Sequence, residues 1–181
     1  PGLDDIPYQG FARELIPFPE AKDLTIFQEE TSTFSLGPYI KVQLQKNPLS
    51  LKWFFHGEEV FNDRPTGAYY LSSRNDQCEH YIQKEKTHQY FGLGEKSGEL
   101  CKNSRRYQMK NIDAMGYDAQ HSDPLYKHIP FYQCKSQNSF FGLFYDNFAT
   151  SEFNLGLELD NYHGHFSSYK ADDGDLDFYV F

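Results

Sequence analysis

The chain has 181 residues, of which 39% are hydrophobic, enough to form one domain with a core of its own. Its formal net charge of −9 at pH 7 excludes the basic surface that nucleic-acid binding requires, so we expect no nucleic-acid partner. No apolar run approaches the roughly 18 residues of a membrane-spanning helix, and no signal peptide is visible, so we expect no membrane partner.

The first half of the chain shows an irregular start followed by a hairpin pattern. Four of the first 22 residues are proline, and proline cannot donate to a central ladder, so we expect an irregular lead-in over residues 1–33. Residues 40–44 and 49–53 each alternate apolar and polar side chains, with Asn47 and Pro48 between them. This pattern predicts two half-buried antiparallel strands joined by a turn.

Further short apolar runs follow, separated by polar turns. None of them shows apolar residues at the 3.6-residue period of a helix together with helix-capping residues. Aromatic residues, which suit pleated surfaces, make up 18% of the chain. We therefore predict an all-β fold, an antiparallel β-sandwich with little helix, as one domain over residues 1–181. The remaining predicted strands are residues 60–61, 68–71, 80–83, 140–145 (buried on both faces), 153–159, 166–169 and 176–181.

The three cysteines, Cys78, Cys101 and Cys134, are odd in number and widely spaced. They form no C-x-x-C pair, so neither a disulfide framework nor a zinc site is indicated. His163 and His165 are read as part of a surface turn. We expect no metal and no cofactor, and a reducing compartment, the cytoplasm.

Residues 90–132 carry the densest polar and aromatic chemistry but show no regular period over most of their length. Because aromatic and apolar residues are too frequent here for a solvated tail, we interpret the stretch as an ordered functional loop region. Gly92 and Gly94 allow close backbone approach or positive φ. Glu95 is either a catalytic or ligand-binding acid, or a residue that satisfies backbone donors or pairs with an arginine, Arg105 or Arg106.

Asp113 is the sharpest candidate for a ligand-binding side chain. It lies in the middle of the loop region, in the sequence Asn111-Ile112-Asp113-Ala114. A carboxylate there can accept two strong hydrogen bonds from sugar hydroxyls, or it can cap an Asx turn. Residue chemistry leaves the two readings open.

Five motifs follow one another along the chain: YFGLGE (90–95), RYQMKNIDA (106–114), SDPLYKHIPFY (122–132), FGLFYDN (141–147) and GDLDFY (174–179). In order and in register, over about residues 34–181, they resemble the N-terminal domain of glycoside hydrolase family 31, the α-glucosidase family. Many members have Trp where this chain has Lys110.

This resemblance implies a galactose-mutarotase-like β-sandwich that precedes a catalytic (β/α)8 barrel. Both catalytic aspartates of the family lie in that barrel, so it implies no catalytic residue here, and Glu95 and Asp113 are not the catalytic pair. The resemblance assigns a contact with the non-reducing sugar to Asp113 alone. Separately, we expect Glu95, Asn111 and Arg106 to support the loop. Because the chain begins at Pro1 and ends inside an apolar run, we expect it to be a piece of a longer protein.

The resulting expectation is the non-catalytic N-terminal domain of a retaining α-glucosidase. Its partners would be an α-glucoside oligosaccharide and its own downstream barrel, and self-association stays open. The alternatives are a stand-alone carbohydrate-binding module, the same domain of an α-xylosidase or transglycosidase, and a mutarotase-like epimerase. The last would need a His and Glu acid/base pair within the sandwich.

Overall fold

A computed structural model describes residues 31–137 and 139–181 of the chain. Within them the chain forms fourteen β-strands and no helix, so no helix there has the length and apolarity of a membrane span. The strands are β1 Thr31–Leu36, β2 Ile40–Lys46, β3 Leu49–Phe55, β4 Glu58–Asn62, β5 Tyr69–Leu71, β6 Cys78–Gln83, β7 Gln89–Gly92, β8 Arg106–Met109, β9 Phe131–Lys135, β10 Phe140–Tyr145, β11 Ser151–Asn154, β12 Leu159–Asp160, β13 Gly164–Ala171 and β14 Phe178–Val180.

These strands form three sheets in which every pairing is antiparallel. The first has the order β1-β2-β3-β4, and the second has the order β14-β10-β9-β7. The third has the order β5-β6-β13-β11-β8, with β12 paired to β13. The predicted all-β antiparallel sandwich is confirmed.

Two of the sequence patterns predict their strands correctly. In the β2–β3 hairpin Lys46 lies opposite Leu49, which leaves Asn47 and Pro48 at the turn. In β10 the consecutive residues Phe141, Gly142 and Leu143 are all buried. This is the expected burial on both faces.

Two strand predictions are wrong in part. The run 153–159 is not one strand, because the chain turns at Gly156 (φ 83°), between β11 and β12. The last strand is shorter than 176–181. The loop region 90–132 includes most of β7, all of β8 and the first two residues of β9.

The predicted lead-in lies largely outside the described residues. Residues 31–33, however, belong to β1, so the irregular structure expected for them is wrong. They pair with β2 opposite residues 43–45.

The main core lies between the second and third sheets and is built from aromatic rings. Tyr145 of β10 stacks on Tyr169 of β13 with ring centroids 3.9 Å apart. Tyr132 of β9 meets the ring of Phe153 of β11 edge-on at 5.7 Å. Burial raises the pKa of Tyr132 and of Tyr145 well above the usual value, so both phenols stay neutral.

A buried polar network joins all three sheets. His80 of β6 donates from Nε2 to Asp63 Oδ1 (2.8 Å), and its Nδ1 lies 2.9 Å from the Tyr145 hydroxyl. The other Asp63 oxygen accepts a hydrogen bond from the backbone N–H of Leu51 in β3 (2.8 Å). Since each of these buried polar groups has a partner, the network avoids the cost of unsatisfied burial.

Candidate functional site

Asp113 lies on a strandless loop, residues 110–130, between β8 and β9. The backbone on both sides of it is anchored to a second part of the same loop. The Ile112 N–H donates to the Leu125 carbonyl (3.4 Å), and the Tyr126 hydroxyl donates to the Ala114 carbonyl (3.0 Å). Leu125 is buried, so these contacts fix an exposed carboxylate to the core of the domain.

The Asp113 carboxylate has no hydrogen-bond donor or cation bound to it among the residues that the structure describes. The Met115 N–H bonds instead to the Asp113 backbone carbonyl (3.0 Å). Within the described part of the chain Asp113 is therefore not an Asx-turn cap. Its role in substrate binding stays a prediction.

Asp118 performs the capping role in this loop. Its Oδ1 accepts hydrogen bonds from the N–H groups of Gln120 (2.7 Å) and His121 (3.2 Å). These bonds, led by the one from Gln120, lower the pKa of Asp118. The turn at 118–121 is therefore stabilised by Asp118 and not by Asp113.

The base of the loop is closed by an ion pair between Lys96 and Asp123. Lys96 Nζ lies 2.9 Å from Asp123 Oδ1, and the two side chains are 0% and 10% exposed. Lys96 Nζ also donates to the Gln108 carbonyl, while the Gln108 N–H donates to Asp123 Oδ2 (2.5 Å). Both backbone groups of Gln108, in β8, are thus held by the pair.

Arg105 forms a second clamp on the loop. It donates to the carbonyls of Gln120 (2.9 Å) and His121 (2.8 Å) and to the Ser97 hydroxyl (3.1 Å). Its guanidinium also lies 5.1 Å from the ring centre of Tyr107, a distance at which cation–π attraction contributes.

Glu95 and Arg106, two of the residues expected to support the loop, form ion pairs with residues other than those in the pairing suggested for Glu95. Glu95 pairs with neither Arg105 nor Arg106, because its carboxylate faces Lys127 across 3.9 Å of solvent-exposed surface. Arg106 points to the strand side and pairs with Glu152 (3.6 Å) and with Glu158. The suggested arginine pairing of Glu95 is therefore wrong.

Asn111 lies on the exposed part of the loop, two residues before Asp113. Its support of the loop stays a prediction. Gly92 and Gly94 have φ values of 120° and 66°, which confirms that this motif needs positive φ.

A buried asparagine organises the neighbouring turn. Asn147 donates to the carbonyls of Asp173 (2.9 Å) and Asp175 (3.1 Å) and accepts from the Ala149 N–H (2.8 Å). It connects the fourth and fifth of the sequence motifs. The segment 172–177 forms the turn between β13 and β14.

Asp113 offers a hydrogen-bond acceptor beside exposed apolar side chains. Met115 is 84% exposed and Tyr117 is 51% exposed. Such a surface suits a ligand rich in hydroxyl groups, whose C–H faces can contact apolar groups. Within residues 31–137 and 139–181, no group of three or more His, Cys, Asp or Glu side chains is arranged to hold a metal ion.

The core of the sandwich holds one His–acid pair among the described residues, His80 with Asp63. Both side chains are 0% exposed. A general acid or base must reach its substrate within hydrogen-bond distance. This pair is enclosed in the core, so it gives no support to the epimerase alternative.

Comparison with known proteins identifies relatives of the same kind. The model of the family described as "Glycosyl hydrolase 31 N-terminal galactose mutarotase-like domain" matches residues 9–154. "Alpha-glucosidase 2" of Bacillus thermoamyloliquefaciens is 27% identical over 164 residues, which is 90% of this chain and 20% of that protein. "Alpha-glucosidase" of Saccharolobus solfataricus is 39% identical over 68 residues, 38% of this chain and 10% of that protein. The chain thus spans a fifth or less of the length of these relatives.

Solved structures share the fold. The GH31 dextranase of Flavobacterium johnsoniae, complexed with glucose, superposes with a TM-score of 0.74 at 28% identity, over 86% of this chain and 18% of that one. Its D412A mutant, complexed with isomaltotriose, gives 0.70 at 26% identity, over 83% and 18%. Tris-bound glucosidase II alpha subunit gives 0.71 at 18% identity, over 87% and 22%, which supports the fold alone. The family match and the shared sandwich show that the chain belongs to the N-terminal galactose mutarotase-like domains of glycoside hydrolase family 31.

Proposed function

We propose that this chain is the non-catalytic N-terminal domain of a retaining α-glucosidase, in which the 110–130 loop shapes the substrate pocket. Asp113 would contact the non-reducing sugar of the substrate. The observation that carries this proposal is an exposed carboxylate with no partner among the described residues, on a loop that is fixed at several points. A binding group held in this way loses little freedom when the ligand arrives.

The relatives support the substrate class. Two of them are α-glucosidases by name, and the dextranase structures contain glucose and isomaltotriose. We propose an α-linked gluco-oligosaccharide as the ligand of this chain. A cytoplasmic location is part of the proposal and agrees with the three free cysteines.

The chemistry would be divided between this chain and a downstream barrel. A retaining glycosidase needs a nucleophile and an acid/base about 5–5.5 Å apart across the scissile bond. We assign both to the barrel. This chain would supply binding energy and orientation, which lower the barrier to a reaction that other residues perform.

Steady-state kinetics of the full-length protein test the role of Asp113. Asp113→Asn keeps the shape of the side chain but removes its charge, and charged hydrogen bonds contribute about 1.5–3 kcal/mol. We therefore expect kcat/KM for an α-glucoside to fall roughly 10- to 100-fold. The matched control is Asp76→Asn, in an exposed turn between β5 and β6, which should change nothing. Equal kcat/KM for Asp113→Asn and the wild type would overturn the proposal.

A binding measurement on the 181-residue chain and a comparison of substrates for the full-length protein separate two of the alternatives. A stand-alone carbohydrate-binding module would bind sugar with measurable affinity as the 181-residue chain. The domain of an α-xylosidase would belong to a protein that prefers α-xylosides over α-glucosides. We expect neither outcome.

A further inference from the structure

We infer that Lys96 is a positioning residue for Asp113, which acts through its buried ion pair with Asp123. The inference rests on the proposed function, since it explains how the loop that carries Asp113 is held in its binding shape. Lys96 lies outside that loop, in the segment between β7 and β8.

The burial of the pair is the first observation. Lysine side chains are almost never fully enclosed unless they are paired, and that of Lys96 is 0% exposed. Its ammonium group is satisfied by Asp123 Oδ1 and by the Gln108 carbonyl. Removal of one partner of such a pair leaves the other charge buried and uncompensated, which is strongly destabilising. We expect the remaining charged side chain, and the backbone that carries it, to move toward solvent.

The position of the pair on the sheet is the second observation. Among the strands that the structure describes, β8 is the last of the third sheet, so no described strand pairs with its outer edge. At Gln108 the Lys96–Asp123 pair fills this place, accepting from the N–H and donating to the carbonyl. The pair thereby fastens the returning part of the loop, at Asp123, to the strand from which the loop departs.

A continuous series of contacts leads from the pair to Asp113. Asp123 is followed within three residues by Leu125 and Tyr126, which bond to the residues on either side of Asp113, Ile112 and Ala114. When Asp123 no longer binds to β8, Leu125 and Tyr126 are no longer held in place relative to that strand. Lys96 therefore determines the position of the Asp113 carboxylate without contact with substrate.

The variant Lys96→Met tests this in the full-length protein that the proposed function implies. Methionine retains the apolar stem and removes the cation. Because loss of positioning weakens substrate binding more than the chemical step, we expect KM for an aryl α-glucoside to rise about tenfold, with kcat within about twofold of wild type. Amide hydrogen exchange of residues 110–125 should become faster, while that of β10 and β13 stays unchanged.

The matched control is Lys170→Met, which removes a lysine from a surface pair with Glu79, between β13 and β6 and outside the loop. We expect wild-type KM and exchange, since exposed pairs contribute little. Asp123→Asn tests the same pair from the other side and stands in for Lys96→Met should that variant fail to fold. The double variant Lys96→Met with Asp123→Asn should be no worse than the worse single variant, because it leaves no unpaired charge.

The outcomes distinguish this inference from the proposed function. A normal KM for Lys96→Met and for Asp123→Asn, beside a lowered kcat/KM for Asp113→Asn, overturns the inference and leaves the proposed function standing. Faster exchange in the loop with an unchanged KM also overturns it. A wild-type kcat/KM for Asp113→Asn overturns the proposed function and the inference together. A raised KM for Lys96→Met and for Asp123→Asn, a lowered kcat/KM for Asp113→Asn, and loop-specific exchange together support both.

Discussion

The backbone of Gly92 packs directly against the carbonyl oxygen of Phe131, so that a Cβ on Gly92 would lie 2.8 Å from that oxygen. The same oxygen accepts a hydrogen bond from the Leu93 N–H (2.7 Å). A methyl group at position 92 would therefore push β7 away from the start of β9. Glycine is required here by both space and the φ of 120°.

We predict that Gly92→Ala destabilises the chain by roughly 3 kcal/mol, the sum of backbone strain and a clash with a backbone that cannot yield. The measurement is the urea midpoint of the 181-residue chain. The control is Gly116→Ala, where φ is 69° but a Cβ meets nothing within 4 Å. It should cost only about 1 kcal/mol. Equal losses for the two variants would contradict the account of the close approach.

Asp63 should be among the most sensitive positions in the core. Asp63→Ala leaves His80 and the Leu51 N–H without their buried acceptor, and each unsatisfied group costs about 1–3 kcal/mol. We expect a loss of about 2–5 kcal/mol in urea unfolding, against less than about 0.5 kcal/mol for Asp76→Asn at the surface. A loss of that small size for Asp63→Ala would show that the network contributes little.

The stability of the chain should decrease in mild acid because of two histidines. Burial lowers the pKa of His88 and of His128 below the ordinary value of 6.5, and Lys96 lowers that of His128 further. The unfolded chain then binds more protons than the folded chain near and below pH 6.5. Stability from the neutral rings is therefore complete above pH 6.5 and is lost as the pH falls through 6.5 toward the folded pKa values.

Urea unfolding at a series of pH values between about 5 and 8 checks this. The double variant His88→Leu with His128→Leu should show a flatter dependence than the wild type. The control His121→Gln, at an exposed position, should retain the wild-type slope. A wild-type free energy of unfolding that rises as the pH falls from 7 to about 5.5 would show the sign to be wrong.

The apolar side chains around Asp113 should make the isolated chain associate with itself. Ile112, Met115 and Tyr117 are all exposed within six residues of the same loop, and exposed apolar surface of this kind often marks a contact surface. We expect Met115→Lys to reduce self-association in sedimentation velocity and Tyr162→Lys, at the β12–β13 turn, to leave it unchanged. A wild-type chain that stays monomeric at every concentration would count against a contact surface here.

The strands that sequence patterns predict well are those in which local preference agrees with burial. Residues 40–55 alternate and turn at a proline, and the run that forms β10 is apolar throughout. The run 153–159 also alternates, but Gly156 adopts positive φ and Lys84 packs over it, so a tertiary contact decides against the local pattern. β7 and β8 have four residues each, too few for a period to show.

The sequence allowed us to propose Asp113 as the candidate binding residue, but not to predict the contacts that hold its loop. Asp113 follows from the family motif, and its anchors Leu125 and Tyr126 lie in the next motif. The clamps do not follow, because Lys96 and Asp123 are 27 residues apart and Arg105 reaches 15 residues to Gln120. These pairings arise because β8, among the described strands, lies at the edge of its sheet, next to segments that are distant in the sequence. No local sequence pattern indicates that arrangement.

The most direct test of the central claim compares hydrolysis of an aryl α-glucoside by three proteins. They are the 181-residue chain, the full-length protein and the full-length protein with Asp113→Ala. Our account predicts that the chain alone is inactive, that the full-length protein is active, and that Asp113→Ala lowers kcat/KM by at least about tenfold. Turnover by the chain alone would contradict it, because the catalytic groups would then lie within these residues.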